Sequence, residues 1–293
     1  MFERSKGSAL FQQIFSYKDV SQSYAEVSST HPFYSMYKKV NAYFEKLKGM
    51  DYEEKELKIS PSITLKGYYF SSMSDKTFIG VHDYCANGIK QLAGQAMYFY
   101  SKGYNVFIPF LRGHGKTHTP FTSLGYVEAQ DLKEWINYFL SKNECNEFVL
   151  YGIGIGGSIC SILSTFNIPS IKKIILDSPT PSVSSLVEEW ISLIYGETKD
   201  SKKFNLILSA IKEAYNNTFG VDYQDYDFDK ICKDISVPTL LFLEDGDTYY
   251  QDLLPLTSVN ENFRIKTIYE ASRNEGFYAK ENEYIDTLNL FID

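Results

Sequence analysis

Short apolar runs alternate with longer amphipathic stretches along most of the chain, and their spacing predicts alternating strands and helices. Two strands come first, at 56–59 and 63–70, separated by Ser60-Pro61-Ser62. Further strands are predicted at 77–82, 105–109, 148–151, 173–177, 239–243 and 264–268, and helices at 88–101, 126–140, 158–166 and 281–292. This alternation implies right-handed βαβ crossovers, and therefore an α/β fold with a mainly parallel, doubly wound sheet.

Two segments depart from this alternation. Residues 1–50 are amphipathic at helical spacing and predict an N-terminal helical extension, which leaves an α/β domain over residues 51–293. The connection that follows Asp177 is much longer than an ordinary crossover. It carries predicted helices at 182–195, 203–218 and 228–235. A connection of that length predicts an inserted helical lid at about residues 179–237.

Composition narrows the class of protein. The formal net charge is -8 and no long basic run occurs, so nucleic acid is not an expected partner. Four scattered cysteines form no C-x-x-C pair, which argues against a zinc site or a disulfide framework and favours a reducing compartment. The first residues lack a signal-peptide core, and no apolar stretch is long enough for a membrane span. These features predict a cytoplasmic protein without an integral membrane segment.

A glycine-rich turn joins the strand at 148–151 to the helix at 158–166. Residues Glu147–Gly157 read E-F-V-L-Y-G-I-G-I-G-G, and glycines permit a sharp turn with positive φ. Such a turn serves as a phosphate-binding loop or as a nucleophile elbow of the form G-x-S-x-G. The phosphate-loop pattern requires a lysine that is absent here. In the elbow pattern, the position of the serine is held by Gly154.

A dinucleotide-binding turn is a separate hypothesis. Gly152, Gly154 and Gly157 match G-x-G-x-x-G, and Asp177 ends the next predicted strand. That fingerprint usually lies on the first βα unit of a sheet, whereas this turn follows a central strand. The hypothesis also gives no function to the polar residues at the other strand ends.

The carboxyl ends of the predicted parallel strands, where ligands bind in open α/β sheets, carry five such stretches. They are 82–84 (H-D-Y), 112–117 (R-G-H-G-K-T), the glycine turn, 244–248 (E-D-G-D-T) and 273–277 (R-N-E-G-F). From about Glu56 to the C-terminus the chain resembles the α/β-hydrolase fold family, and within it the serine-aminopeptidase and lysophospholipase-like branch. The most specific motif is Gly103–Thr117, G-Y-N-V-F-I-P-F-L-R-G-H-G-K-T.

The resemblance implies a serine, a carboxylate and a histidine in that chain order. The nucleophile position falls on Gly154, the acid position on Asp247 and the histidine position on Asn274, and no histidine occurs after His118. Glycine has no nucleophile, and asparagine is no general base near neutral pH. The triad is therefore predicted to be degenerate.

The resemblance also places an oxyanion site at the N–H of Ile155 and at the loop His82-Asp83-Tyr84. The family favours His-Gly in that loop, so Asp83 adds a carboxylate beside the place where negative charge would develop. Phe110 stands where many relatives have an aspartate before the R-G-H-G turn.

Two functional hypotheses follow. In the first, the protein is catalytically inactive and keeps a lidded pocket for a small molecule, or acts through a protein partner. Asp83 and Asp247, if both line that pocket, favour neutral or cationic ligands. In the second, it is an active esterase, thioesterase or peptidase that uses a displaced nucleophile, Cys85 or Ser158. Neither hypothesis requires a cofactor.

A metal site is not expected. His82, Asp83, His114 and His118 have no spacing that would make them converge on one ion, because His114 and His118 lie in a glycine-rich turn and not on a helix.

Overall fold

The structure, a computed structural model, describes residues 2–222, 227–255 and 260–293. Its strands form one sheet in the order β1-β2-β4-β3-β5-β6-β7-β8. The strands are β1 (Glu53–Ser60), β2 (Ile63–Phe70), β3 (Lys76–Val81), β4 (Asn105–Phe110), β5 (Glu147–Ile153), β6 (Ile171–Asp177), β7 (Thr239–Gly246) and β8 (Phe263–Ser272). β1 and β2 pair antiparallel, as do β2 and β4, and the remaining pairs are parallel. The predicted fold class is thereby confirmed.

Helices cover both faces of this sheet. They are α1 (Phe2–Phe15), α2 (Tyr34–Lys48), α3 (Gly88–Gln91), α4 (Ala93–Ser101), α5 (Tyr126–Ser141), α6 (Ile155–Ser164), α7 (Val183–Tyr195), α8 (Lys202–Phe219), α9 (Phe228–Ile231), α10 (Tyr250–Leu253), α11 (Gly276–Ala279) and α12 (Glu281–Ile292). Every residue of β4 is buried, as expected of a strand covered on both faces. The helix predicted at 88–101 is divided at Leu92, between α3 and α4.

The N-terminal extension packs on the rest of the chain. α1 lies along α8, and its approach is so close that a Cβ on Gly7 would stand 2.6 Å from the Cβ of Ala210. Aromatic rings fill this contact, with Phe15 and Tyr215 centroids 5.2 Å apart. After α1, Lys18 pairs with His114 in an isolated β-bridge. The segment that leads to α2 is thus held beside the loops at the carboxyl ends of the strands.

The connection between β6 and β7 contains α7, α8 and α9, where the sequence predicted an inserted helical lid. Residues 223–226 of this connection lie outside the described residues. No helix in the described part of the chain is both long and apolar enough to cross a membrane.

Candidate functional site

The chain turns sharply from β5 into α6 at Gly154, which has φ +56° and ψ -119°. This left-handed conformation is easily adopted by glycine and strained for other residues. Gly154 accepts a hydrogen bond from the N–H of Ser158, and so begins the helix. The geometry is that of an elbow which would hold a side chain at residue 154 above the sheet edge.

The carboxylate of Asp83 occupies the space that such a side chain would need. A Cβ built on Gly154 would lie 2.2 Å from Oδ1 and 2.3 Å from Cγ of Asp83, well inside van der Waals contact. Asp83 follows β3, which lies directly beside β5 in the sheet. The two residues therefore depend on each other: the carboxylate of Asp83 fits here only because residue 154 has no side chain.

Three N–H groups hold this carboxylate in place. Asp83 Oδ1 accepts hydrogen bonds from the backbone N–H of Ile155 and of Tyr84, each at 2.8 Å. Asp83 Oδ2 accepts from Asn274 Nδ2 at 2.7 Å. The N–H of Ile155, together with one from the loop after β3, is what the resemblance assigns to oxyanion stabilisation. Here both donors bind an anion that belongs to the protein itself.

The carboxylate at the predicted acid position is bound by an arginine. Arg273 Nη1 donates to both carboxylate oxygens of Asp247 at 2.9 Å, and Nη2 donates to Thr180 Oγ1 at 2.8 Å. Burial lowers the pKa of Arg273, but the negative charges of Asp83 and Asp247 outweigh it, so the net pKa is raised and the guanidinium remains charged. Asp247 is thus committed to an ion pair.

Asn274 lies one residue further along, with φ +65°. Its amide nitrogen binds Asp83, and its Oδ1 is buried with no hydrogen-bond partner among the described residues. Sequence reasoning noted Arg273 beside the histidine position without giving it a role, and it missed the contact between Asn274 and Asp83. Only the opposite charges of Arg273 and Asp247 hinted at their pairing.

His82 and His114 support the loops around the site. His82 Nδ1 lies 2.7 Å from the carbonyl oxygen of Asp83, and Nε2 accepts from the N–H of Leu111 at 3.3 Å. Burial lowers the pKa of His82 to about 3, and burial lowers that of His114 to about 4. Both imidazoles are therefore neutral at pH 7, and they link the loop after β3 to the turn after β4. Within the described residues, no group of three or more acidic, histidine or cysteine side chains could hold a metal ion.

The surroundings of the two alternative nucleophiles do not activate them: at Cys85, burial outweighs the pKa-lowering effects of Tyr84 and Lys18. Ser158 is fully buried, and its hydroxyl donates to the carbonyl oxygens of Thr180 at 2.8 Å and of Gly154 at 3.3 Å. Cys85 is an exposed residue whose thiol is partly desolvated, and this burial raises its pKa above the ordinary value of 9.0. A thiol with a raised pKa is protonated at pH 7 and is a poor nucleophile.

A buried pair of acids lies at the ends of β6 and β7, below these residues. Asp177 Oδ2 accepts from the hydroxyls of Tyr151 at 2.6 Å and Tyr284 at 2.7 Å. Glu244 accepts from the N–H of Gly276 at 3.2 Å. Burial, reinforced by the charge of Asp177, raises the pKa of Glu244 well above its usual value. Because Asp177 is only 1% exposed, it is not available to a nucleotide ribose, as the dinucleotide hypothesis would require.

A cavity of about 570 Å³, the site cavity, opens above Asp83. Asp83, Arg273, Asn274 and Glu275 line one side of it. The other side comes from the segment between α1 and α2 and from α2 itself, including Tyr24, Phe33 and Tyr37. In the described part of the chain, no residue of the predicted lid lines this cavity, and Asp247 does not line it either. The N-terminal extension covers the place that sequence reasoning gave to the lid.

Comparisons with known proteins agree with this architecture. A family model described as the alpha/beta hydrolase fold matches residues 77–200. Protein bem46 of Schizosaccharomyces pombe is 28% identical over 145 residues, a match that covers 47% of this chain and 48% of that relative, about half the length of each.

Among solved structures, the Pyrococcus furiosus esterase Pf2001 superposes with a TM-score of 0.64 at 15% identity, over 94% of this chain and 97% of that one. A Bacillus anthracis bromoperoxidase superposes with a TM-score of 0.59 at 16% identity, over 82% of this chain and 99% of that one. At such identities, these similarities indicate a shared fold.

Proposed function

We propose that the chain, which has the α/β-hydrolase fold, is a member of that family without serine-hydrolase chemistry, and that it binds a small molecule in the site cavity. The observation that carries this proposal is the carboxylate of Asp83 in the space of a nucleophile side chain. An oxyanion that formed there would have to displace this carboxylate from the N–H groups of Ile155 and Tyr84. Two anions cannot share one set of donors at low cost.

The other members of the degenerate triad support the same proposal. Asn274 provides no base, and Asp247 is held by Arg273 rather than left to orient an imidazole. Restoring one residue therefore leaves the remaining obstacles in place. The contacts of Cys85 and Ser158 give no support to an active enzyme with a displaced nucleophile.

The lining of the site cavity favours a neutral or cationic ligand. Asp83 and Glu275 contribute two negative charges, and the positive charge of Arg273 is directed into its ion pair with Asp247. Aromatic rings on the opposite wall, such as Tyr24 and Tyr37, offer faces that attract ammonium groups. Carboxylate ligands would meet net repulsion.

Two finer assignments accompany this proposal. The motif Gly103–Thr117 supports placing the protein in the serine-aminopeptidase and lysophospholipase-like branch. The four cysteines, all free thiols in the structure, support a reducing, cytoplasmic location. A protein partner in place of a small molecule remains the second form of the same non-catalytic hypothesis.

Intact-mass spectrometry after incubation with a fluorophosphonate tests the loss of chemistry. We expect no adduct on the native protein. The variant Gly154→Ser/Asn274→His should also stay unlabelled, because Asp83 still obstructs residue 154 and Arg273 still binds Asp247. Adding Asp83→Gly and Arg273→Ala removes both obstacles and should permit labelling at residue 154.

A stoichiometric adduct on the native protein would overturn the proposal, and peptide mapping would identify the true nucleophile. Labelling at Cys85 or Ser158 would establish the active-enzyme alternative. Ligand binding is tested separately by calorimetry with 2-phenylethylamine and 3-phenylpropanoate. We expect the amine to bind more tightly than the carboxylate, and we expect Glu275→Gln to weaken binding of the amine. Tighter binding of the carboxylate would contradict the assigned ligand class.

A further inference from the structure

A second cavity, of about 380 Å³, is lined in part by Gly115 and Lys116, at the end of the R-G-H-G-K-T stretch. We call it the aromatic cavity, after the rings that line it: Phe44, Tyr52, Tyr68 and Phe110, together with Tyr17. These residues come from the N-terminal extension, from the position just before β1, from β2 and from the end of β4. None of them lines the site cavity. The two cavities are therefore separate candidate sites.

The rings form stiff, apolar walls. Tyr52 and Tyr68 meet edge to face, with centroids 5.0 Å apart at 84°, and Tyr68 meets Phe110 at 5.2 Å and 65°. Tyr52 remains 51% exposed, so its apolar ring is left largely in water. Perpendicular rings leave flat faces against which a planar apolar group packs favourably, and the volume accommodates a bicyclic ring system.

The charges at the edge of the aromatic cavity define a preferred partner. Lys116 is paired with Glu54 and lies 4.8 Å from the centroid of Tyr68. Lys48, an exposed residue in the last turn of α2, forms no ion pair within 4.0 Å in the described part of the chain. The acid in this lining, Asp19, accepts the N–H of Ser21 at 2.9 Å and keeps its negative charge, but it forms no ion pair with Lys48. The ammonium group of Lys48 is therefore available to bind an anion.

We propose that the aromatic cavity binds a small aryl carboxylate, with its ring between the aromatic walls and its carboxylate on Lys48. Burial of the ring supplies affinity, and a charge-assisted hydrogen bond from Lys48 selects the anion. This site is independent of the proposed function, because it shares neither lining residues nor charge preference with the site cavity.

The test is isothermal titration of 1-naphthoate into the full chain. We expect saturable one-to-one binding, about tenfold weaker in Lys48→Gln because one charge-assisted contact is lost. Lys46→Gln is the matched control, since it removes the same charge two residues away on the same helix and does not line the cavity. Tyr52→Ala should weaken binding as well, through loss of an exposed aromatic wall.

Three outcomes would overturn the proposal: no binding of 1-naphthoate, equal weakening by Lys46→Gln and Lys48→Gln, or binding that responds to Glu275→Gln in the site cavity and not to Lys48→Gln. Circular dichroism of each variant verifies that it is folded. If 1-naphthoate does not bind, the fluorophosphonate result is unaffected, so the two proposals can be refuted independently.

Discussion

Replacing Gly154 by alanine tests whether the packing of Asp83 against the elbow is as tight as the structure indicates. The new Cβ would lie 2.2 Å from Asp83 Oδ1, so the carboxylate would have to move and weaken its bonds to Ile155 and Tyr84. We estimate a cost of about 2 kcal/mol for this displacement, the scale of a lost hydrogen bond to a charged group. The φ of +56° adds about 1 kcal/mol of backbone strain.

A double-mutant cycle with Asp83→Ala separates these two terms. We expect Gly154→Ala to lower the free energy of unfolding by about 3 kcal/mol in the native background, and by about 1 kcal/mol once Asp83 is removed, a coupling of about 2 kcal/mol. Effects of alanine on the unfolded chain are equal in both backgrounds and cancel. The free energies come from urea denaturation followed by tryptophan fluorescence.

Gly103→Ala is the matched control for the cycle. Gly103 also has a positive φ, +81°, but a Cβ there would meet nothing within 4 Å. It should cost about 1 kcal/mol with or without Asp83, because only backbone strain is involved. If Gly154→Ala costs the same in both backgrounds, to within about 0.5 kcal/mol, the additivity of unconnected sites applies and the inferred packing is wrong.

Two further predictions concern titratable groups. Because the pKa of Glu244 is raised in the folded protein, its stabilising contribution is complete below its unfolded pKa of about 4.5 and declines as the pH rises through the folded value. The free energy of unfolding should therefore fall more steeply between pH 5 and 8 in the native protein than in Glu244→Gln. Parallel curves for the two proteins would contradict this prediction. Because the pKa of Cys85 is raised, the pH midpoint of its alkylation by iodoacetamide should lie above 9.0, and a midpoint near 7 would instead reveal an activated thiol.

The fold was largely predictable because it follows from local patterns. The predicted strand at 63–70 and the predicted helix at 281–292 have the same bounds as β2 and α12. Buried parallel strands are short apolar runs, and surface helices repeat their apolar residues every three to four positions, so both can be read from neighbouring residues. The division of the 88–101 helix at Leu92 was missed, since neither Leu92 nor its immediate neighbours are proline or glycine and an isolated glycine such as Gly94 is tolerated within a helix.

The candidate site, unlike the fold, could be predicted only in part from the sequence. The sequence alone determined that Gly154 supplies no nucleophile and that Asn274 supplies no base, because side-chain chemistry does not depend on the fold. Only the tertiary structure decided that Asp83, in the loop after a neighbouring strand, fills the space at Gly154, and that Arg273 forms an ion pair with Asp247. It also decided that the N-terminal extension covers the site cavity. These contacts join residues far apart in the chain, and their partners are set by strand order and by distances of a few ångströms, which no local pattern encodes.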